Sequence, residues 1–293
     1  MMDQDQRQQA IELYDRFTHE GMDRRDFMAR MTAIAGSAAA ASALVATIAA
    51  DPAAAAIVPA NDHRLRTMTT KLLGTGGLPS YTTYTAEPAN RTRAGSVMVI
   101  HENRGLNDHT RDVARRLALS GFHAVAVDFL SPLGGTPTDE NKAREMIGKL
   151  DLTASTGHAV AMLDHLAKRR GGNGKVGVVG FCWGGAFVNR LAVAAGNKLD
   201  AGVSYYGVAP DPSEAARVSA PLVIQLAGLD ERVNKSAFPW ITALRAAGKP
   251  VKYFNYDGVN HAFNNDTSAE RYNQAASDLA WKRTIAAFRR HLT

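Results

Sequence analysis

The chain has 293 residues, 45% apolar and 21% charged, with 34 Lys+Arg against 28 Asp+Glu for a net charge of +6. That composition excludes collagen-like, low-complexity and broadly disordered classes. A single cysteine excludes an intramolecular disulfide and a cysteine-rich zinc cluster, and the scattered basic residues form no aromatic-interleaved stripe of the kind that binds nucleic acid.

The first 56 residues differ in composition from the rest. Residues 31–50 carry no charge and ten of the twenty are alanine. Arg24-Arg25-Asp26-Phe27-Met28 stands directly before them, and the whole resembles a twin-arginine export signal. The resemblance implies cleavage around Ala54-Ala55-Ala56, a mature chain from Ile57, the twin-arginine export machinery as a partner and a periplasmic or exported location. Alanine gains little on transfer to lipid, so no stable membrane anchor is expected. The alternative is an Ala-rich helix that stays on the protein, unbroken before Asp51-Pro52, with a cytoplasmic location. Residues 1–30 hold five arginines against seven acids, so the leader is not basic.

Residues 57–293 read as one α/β domain. Residues 69–86 form an antiparallel pair around Gly74-Thr75-Gly76-Gly77. Short apolar runs at 96–101, 123–128, 175–180, 202–206, 222–227 and 251–256 are apolar on both parities, as strands buried on both faces are. Helical stretches alternate with them, which predicts a mostly parallel sheet with helices on both faces. Asp108 is expected to cap a helix running to Ser120, and Ser236 one carrying Ile241 and Leu244. Thr267 and Glu270 have the capping-box spacing for the last helix, whose Trp281, Ile285, Phe288 and Leu292 form one apolar stripe.

Gly180-Phe181-Cys182-Trp183-Gly184-Gly185 follows a strand and opens a helix near Ala186. It has the form of a nucleophile elbow with cysteine as the nucleophile, and glycines two residues away on each side permit the close backbone approach. The helix N-terminus favours a thiolate there. A base must lie downstream. His291 sits on the terminal helix, whereas His261 lies in a loop after the strand at 251–256, at the sheet edge where ligands bind. Asp230, after the strand at 222–227, is the candidate orienter, with Glu231 its competitor. The amides of Trp183 and of Asn103, in the loop after the strand at 96–101, are the candidate oxyanion donors.

Together the segments VMVIHENRGLN, VAVDFLSPLGG, KVGVVGFCWGG, YYG, LAGLDERVN and GVNHAF resemble the dienelactone hydrolase family of α/β hydrolases, over roughly residues 65–293. The resemblance implies an α/β-hydrolase fold, a carboxymethylenebutenolidase-like hydrolysis of a small ester or lactone, and a Cys182–His261–Asp230 triad working through a thioacyl-enzyme. It also implies that Glu102 pairs with the cysteine and controls its protonation. The family's carboxylate-binding arginine four residues after the histidine is Asn265 here. Arg104, Arg144 and Tyr206 are the remaining candidates for substrate contact. No metal or organic cofactor is expected, since His101-Glu102 lacks the second histidine of H-E-x-x-H. A second reading is an exported binding or protective protein on a hydrolase fold with little turnover.

Overall fold

The computed structural model describes residues 2–49, 56–72, 78–90 and 93–293. Eight strands make one sheet: β1 (Leu65–Leu72), β2 (Tyr81–Pro88), β3 (Ala94–Ile100), β4 (His123–Val127), β5 (Gly172–Phe181), β6 (Ala201–Tyr205), β7 (Leu222–Ala227) and β8 (Val251–Tyr256). Their order is β1-β2-β4-β3-β5-β6-β7-β8. Only β1–β2 and β2–β4 are antiparallel; every pair from β4 to β8 is parallel. The glycine turn expected at 74–77 lies outside the described residues.

Alternate strand residues supply the two faces. Val97, Val99, Ala124, Ala126 and Val179 pack with α4 (Asp108–Leu119) and α9 (Gln274–Leu292). Met98, Ile100, Val125 and Val178 pack with α6 (Leu152–Ala167), α7 (Trp183–Ala194) and α8 (Glu231–Ala246). Such two-sided cover is what lets a parallel sheet keep its backbone polar groups away from water. β8 departs from the expected two-sided burial: it is an edge strand, and most of its residues are only half-buried or exposed.

Three helix starts differ from expectation, each because a better acceptor stands nearby. Asn107, not Asp108, caps α4, its side chain accepting from the Thr110 amide at 3.0 Å. α8 starts at Glu231 and is capped by Asp230, which leaves Ser236 inside the helix with its hydroxyl donating to the Val233 carbonyl. α9 is capped by Asn273, and residues 267–270 form turns instead. The expected stripe does face inward, with Ile285, Phe288 and Leu292 buried.

The N-terminal residues fold as α1 (Gln4–His19), α2 (Arg24–Ala35) and α3 (Ala38–Ile48). The run is therefore not one uninterrupted helix. Gly36 takes the left-handed conformation that ends α2, and Ser37 caps α3 through the Ala40 amide. The two helices meet at 103°, and among the described residues no single helix is long and apolar enough to cross a membrane. α1 has a capping box between Asp3 and Gln6. The apolar cluster of this unit is its own: Ile11, Tyr14, Phe17, Phe27, Met31 and Ile48 bury against one another, with Phe17 and Phe27 stacked at 4.1 Å.

The unit lies across the carboxyl edge of the sheet, and its attachments to the body are mainly polar. Gln8 and Asn260 exchange amide hydrogen bonds. Arg271 pairs with Asp15 at 3.3 Å, and the Ile48 carbonyl accepts from Ser268 at 2.6 Å and from Arg271 at 3.1 Å.

The loop after β8 is braced by Asp266, which meets His109 at 2.9 Å and Arg116 at 2.6 Å. Burial works to raise the Asp266 pKa, but the neighbouring His109 ring and the charge of Arg116 outweigh it and bring it to about 2. Discounted for solvent screening, a fall of that size is worth about 1–2 kcal/mol of folding stability. The benefit is complete above the unfolded carboxyl value near 4 and disappears as pH falls towards 2. Asp266→Asn should therefore cost about 1–2 kcal/mol in urea melts at pH 7, with the deficit closing below pH 4; an equal deficit at both pH values would rule out the charge as its cause.

Candidate active site

The elbow forms where β5 turns into α7. Cys182 sits at φ 55°, a conformation that costs a non-glycine residue about 1–3 kcal/mol. The neighbouring glycines make the turn possible. A Cβ on Gly180 would lie 2.1 Å from the Gly184 carbonyl oxygen, and one on Gly184 would lie 2.4 Å from the Ile100 oxygen. The second contact shows how closely the loop after β3, carrying Glu102, Asn103 and Arg104, passes beside Cys182. Trp183 is the first residue of α7, and its ring stacks on His101 at 5.3 Å, walling the elbow.

Asp230 and His261 arrive from the ends of β7 and β8. One Asp230 oxygen caps α8 by accepting from the Val233 amide at 3.1 Å, and the other holds His261 Nδ1 at 2.5 Å. The aspartate is thus fixed by the helix it starts. Glu231, the competitor, is exposed. His291 lies on α9, lining a groove at the opposite end of the strands. Burial opposes a charged His261, but the Asp230 carboxylate and then Cys182 outweigh it and raise the ring's pKa. His261 Nε2 is buried, faces the Cys182 sulfur and has no hydrogen-bond partner among the described residues.

The hydrogen-bonding partner of Cys182 Sγ is His19, at the end of α1, with Nε2 3.1 Å away. Its ring also meets that of His261 edge-on at 4.8 Å. The Asp15 carbonyl accepts from His19 Nδ1 at 2.7 Å, so Nε2 holds the lone pair and accepts the thiol proton. Burial holds the His19 pKa well below its ordinary value. Sequence reasoning missed His19 because it follows no strand; the signal that could have found it is the Asp3-to-Gln6 capping box and the apolar spacing of Ile11, Tyr14 and Phe17 behind it.

The carboxylate of Glu102 is held by the Tyr206 hydroxyl at 3.4 Å and by the Asn265 amide at 3.0 Å. Tyr206 therefore acts on Glu102 and, through a ring contact at 4.9 Å, on His261. Asn265 supplies an amide donor to Glu102 from the position where the resemblance called for an arginine. The Asn103 side chain donates to the Thr18 carbonyl at 3.3 Å. Arg104 is buried and engaged by Glu140 at 2.7 Å and by the Tyr14 hydroxyl. Arg144 lies 4.3 Å over the Phe17 ring. Both arginines line a cavity of about 230 Å³ between the N-terminal helices and the body, with Asn103, Phe17 and Arg24 also on its wall.

A mostly parallel sheet with its elbow, histidine and carboxylate converging on one edge is the α/β-hydrolase fold. The model of the "Dienelactone hydrolase family" matches residues 81–292. A carboxymethylenebutenolidase-like protein of Escherichia coli (strain K12) is 30% identical over 210 residues, 67% of this chain and 76% of that one. One of Salmonella typhi is 29% identical over 256 residues, 82% of this chain and 93% of its own. The crystal structure of a "Putative Dienelactone Hydrolase" from Klebsiella pneumoniae superimposes with a TM-score of 0.69 at 25% identity, covering 78% of this chain and 99% of that one. The chain belongs to the dienelactone hydrolase family and is a hydrolase.

Proposed function

We propose that the protein hydrolyses a small carboxylic ester or lactone through Cys182, His261 and Asp230. The observation that carries this reading is the line from Asp230 to His261 Nδ1 at 2.5 Å, with the ring's opposite nitrogen facing the only sulfur of the elbow. The Cys182 thiolate attacks the carbonyl carbon, and the developing oxyanion takes hydrogen bonds from the Asn103 and Trp183 amides. The C–O bond breaks, His261 gives its proton to the leaving oxygen, and a thioacyl-enzyme remains. His261 then takes a proton from water, whose oxygen displaces the thiolate. Arg104 is already neutralised by Glu140, which leaves Arg24 and Arg144 as the cations on the wall of the neighbouring cavity.

Glu102 is proposed to control the thiol. If so, Glu102→Gln changes the rate at which iodoacetamide alkylates Cys182; equal rates in both proteins would remove that role. The pH dependence follows from Asp230. Its carboxylate raises the His261 pKa while burial lowers it, so Asp230→Asn should move the alkaline limb of the kcat/KM profile, where His261 loses the proton it must donate, to lower pH as well as reduce the rate. A limb that stays in place would mean that another group controls it.

The test of the reading is a panel of p-nitrophenyl acetate and lactones, followed past one equivalent of product. Sustained turnover supports hydrolysis; a single burst favours a binding or protective protein, a reading supported by the closeness of His19 to the sulfur. Export through a twin-arginine route is a further proposal, supported by Arg24-Arg25 and the alanine-rich run. N-terminal sequencing of protein from the native host that found residue 1 or 2 intact would remove it.

A further inference from the structure

We propose that His19, Cys182 and His261 form a binding site for a soft divalent cation of the Zn²⁺ class, and that filling it shuts the hydrolase. The three donor atoms come from three separate segments, the end of α1, the elbow after β5 and the loop after β8, and all lie within 4.8 Å of one another. One thiolate and two imidazoles are the donor set such ions select, whereas Mg²⁺ and Ca²⁺ require oxygen ligands.

The second observation is the orientation of the rings. His261 Nδ1 is held by the Asp230 carboxylate and His19 Nδ1 by the Asp15 carbonyl. Carboxylate–histidine and carbonyl–histidine pairs of this kind orient imidazole ligands towards metals by keeping the proton on the far nitrogen. Both Nε2 atoms consequently aim at the sulfur, and that of His261 is buried without a hydrogen-bond partner. In a tetrahedral site with metal–nitrogen bonds of about 2.0–2.1 Å and a metal–sulfur bond of about 2.3 Å, donors lie roughly 3.3–3.6 Å apart. His19 Nε2 and Sγ are already 3.1 Å apart. Three protein ligands leave a fourth position for water.

The occupied site joins α1 to the body through the metal and ties up the sulfur lone pair together with the histidine nitrogen that must move protons. The inhibitory part of the inference rests on the hydrolase reading; metal binding does not.

The test uses the full-length protein, reduced and metal-free, titrated with Co²⁺ under argon and then with Zn²⁺. The expected result is saturable one-to-one binding with a thiolate-to-cobalt band in the near ultraviolet, erased by Zn²⁺. Ester turnover should fall with Zn²⁺ occupancy and return with EDTA. His19→Gln and His19→Ala, shown by circular dichroism and melting to be folded, should bind more weakly by more than the roughly 10–100-fold that loss of an outer-shell partner alone costs. Absence of the band, or unchanged affinity in both folded variants, overturns the site. Binding by a protein with no ester turnover would leave the site standing and remove the hydrolase reading; turnover without binding would do the reverse.

Discussion

Cys182→Ala should reduce the turnover of any ester by on the order of 10⁶-fold, leaving about 10³–10⁴-fold over water from the proposed oxyanion donors and binding. The expected size follows from the position of the sulfur at the one point where the loop after β3, the N-terminus of α7 and His261 meet. The fold should survive, because an alanine at φ 55° suffers the same backbone strain as the cysteine and loses only one small, buried side chain. Thermal melts should accordingly stay within a few degrees, and a rate unchanged within threefold would remove the thioacyl mechanism. Cys182→Ser keeps the geometry but offers a far weaker nucleophile to a base tuned for a thiol. It should retain little more activity than alanine, and the burst of product released before deacylation should vanish in both.

The second large effect concerns the N-terminal helices. With His19 hydrogen-bonded to Sγ at 3.1 Å, α1 covers the sulfur while it is seated, and an ester must displace it to reach Cys182. Removing residues 1–56 should raise the rate of Cys182 alkylation at least tenfold and raise kcat/KM for small esters. His19→Ala in the full chain should produce part of the same gain. The truncated body should remain folded, because the apolar cluster of α1–α3 is internal to that unit. What the truncation uncovers is largely polar, including Asn260, Ser268, Glu270 and Arg271. Slower alkylation, or loss of all ester turnover in a folded truncated protein, would show instead that α1 completes the site.

These two expectations divide along what could be read from the sequence. The positions of Cys182, Asp230 and His261 at strand ends were legible because strand–turn–helix punctuation is local: a run of β-branched residues, then glycine or aspartate, then a helix. The sheet was legible for the same reason, apart from the exposure of β8, which depends on its place at the edge and not on its composition. Helix caps were less so, since Asp108, Ser236 and Thr267 all have the right chemistry and only tertiary geometry selects Asn107, Asp230 and Asn273 instead. The contact of His19 with a cysteine 163 residues away carries no local mark. Neither does the amide that Asn265 offers to Glu102, where family resemblance suggested only a missing cation.

The first turn of α2 has a consequence for how the leader could be read. Arg24 and Arg25 are exposed there, while Phe27, two residues on, is buried against Phe17. Two cations at the positive end of a helix are unfavourable, and Asp23 and Asp26 offset them. A receptor can therefore touch the arginine pair on the folded protein, but to grip the phenylalanine as well it must pull it out of its aromatic stack. Phe17 stands two residues before His19 on the same helix. Pulling Phe27 out of the stack would then also loosen Phe17 and, with it, the His19 contact that covers the sulfur.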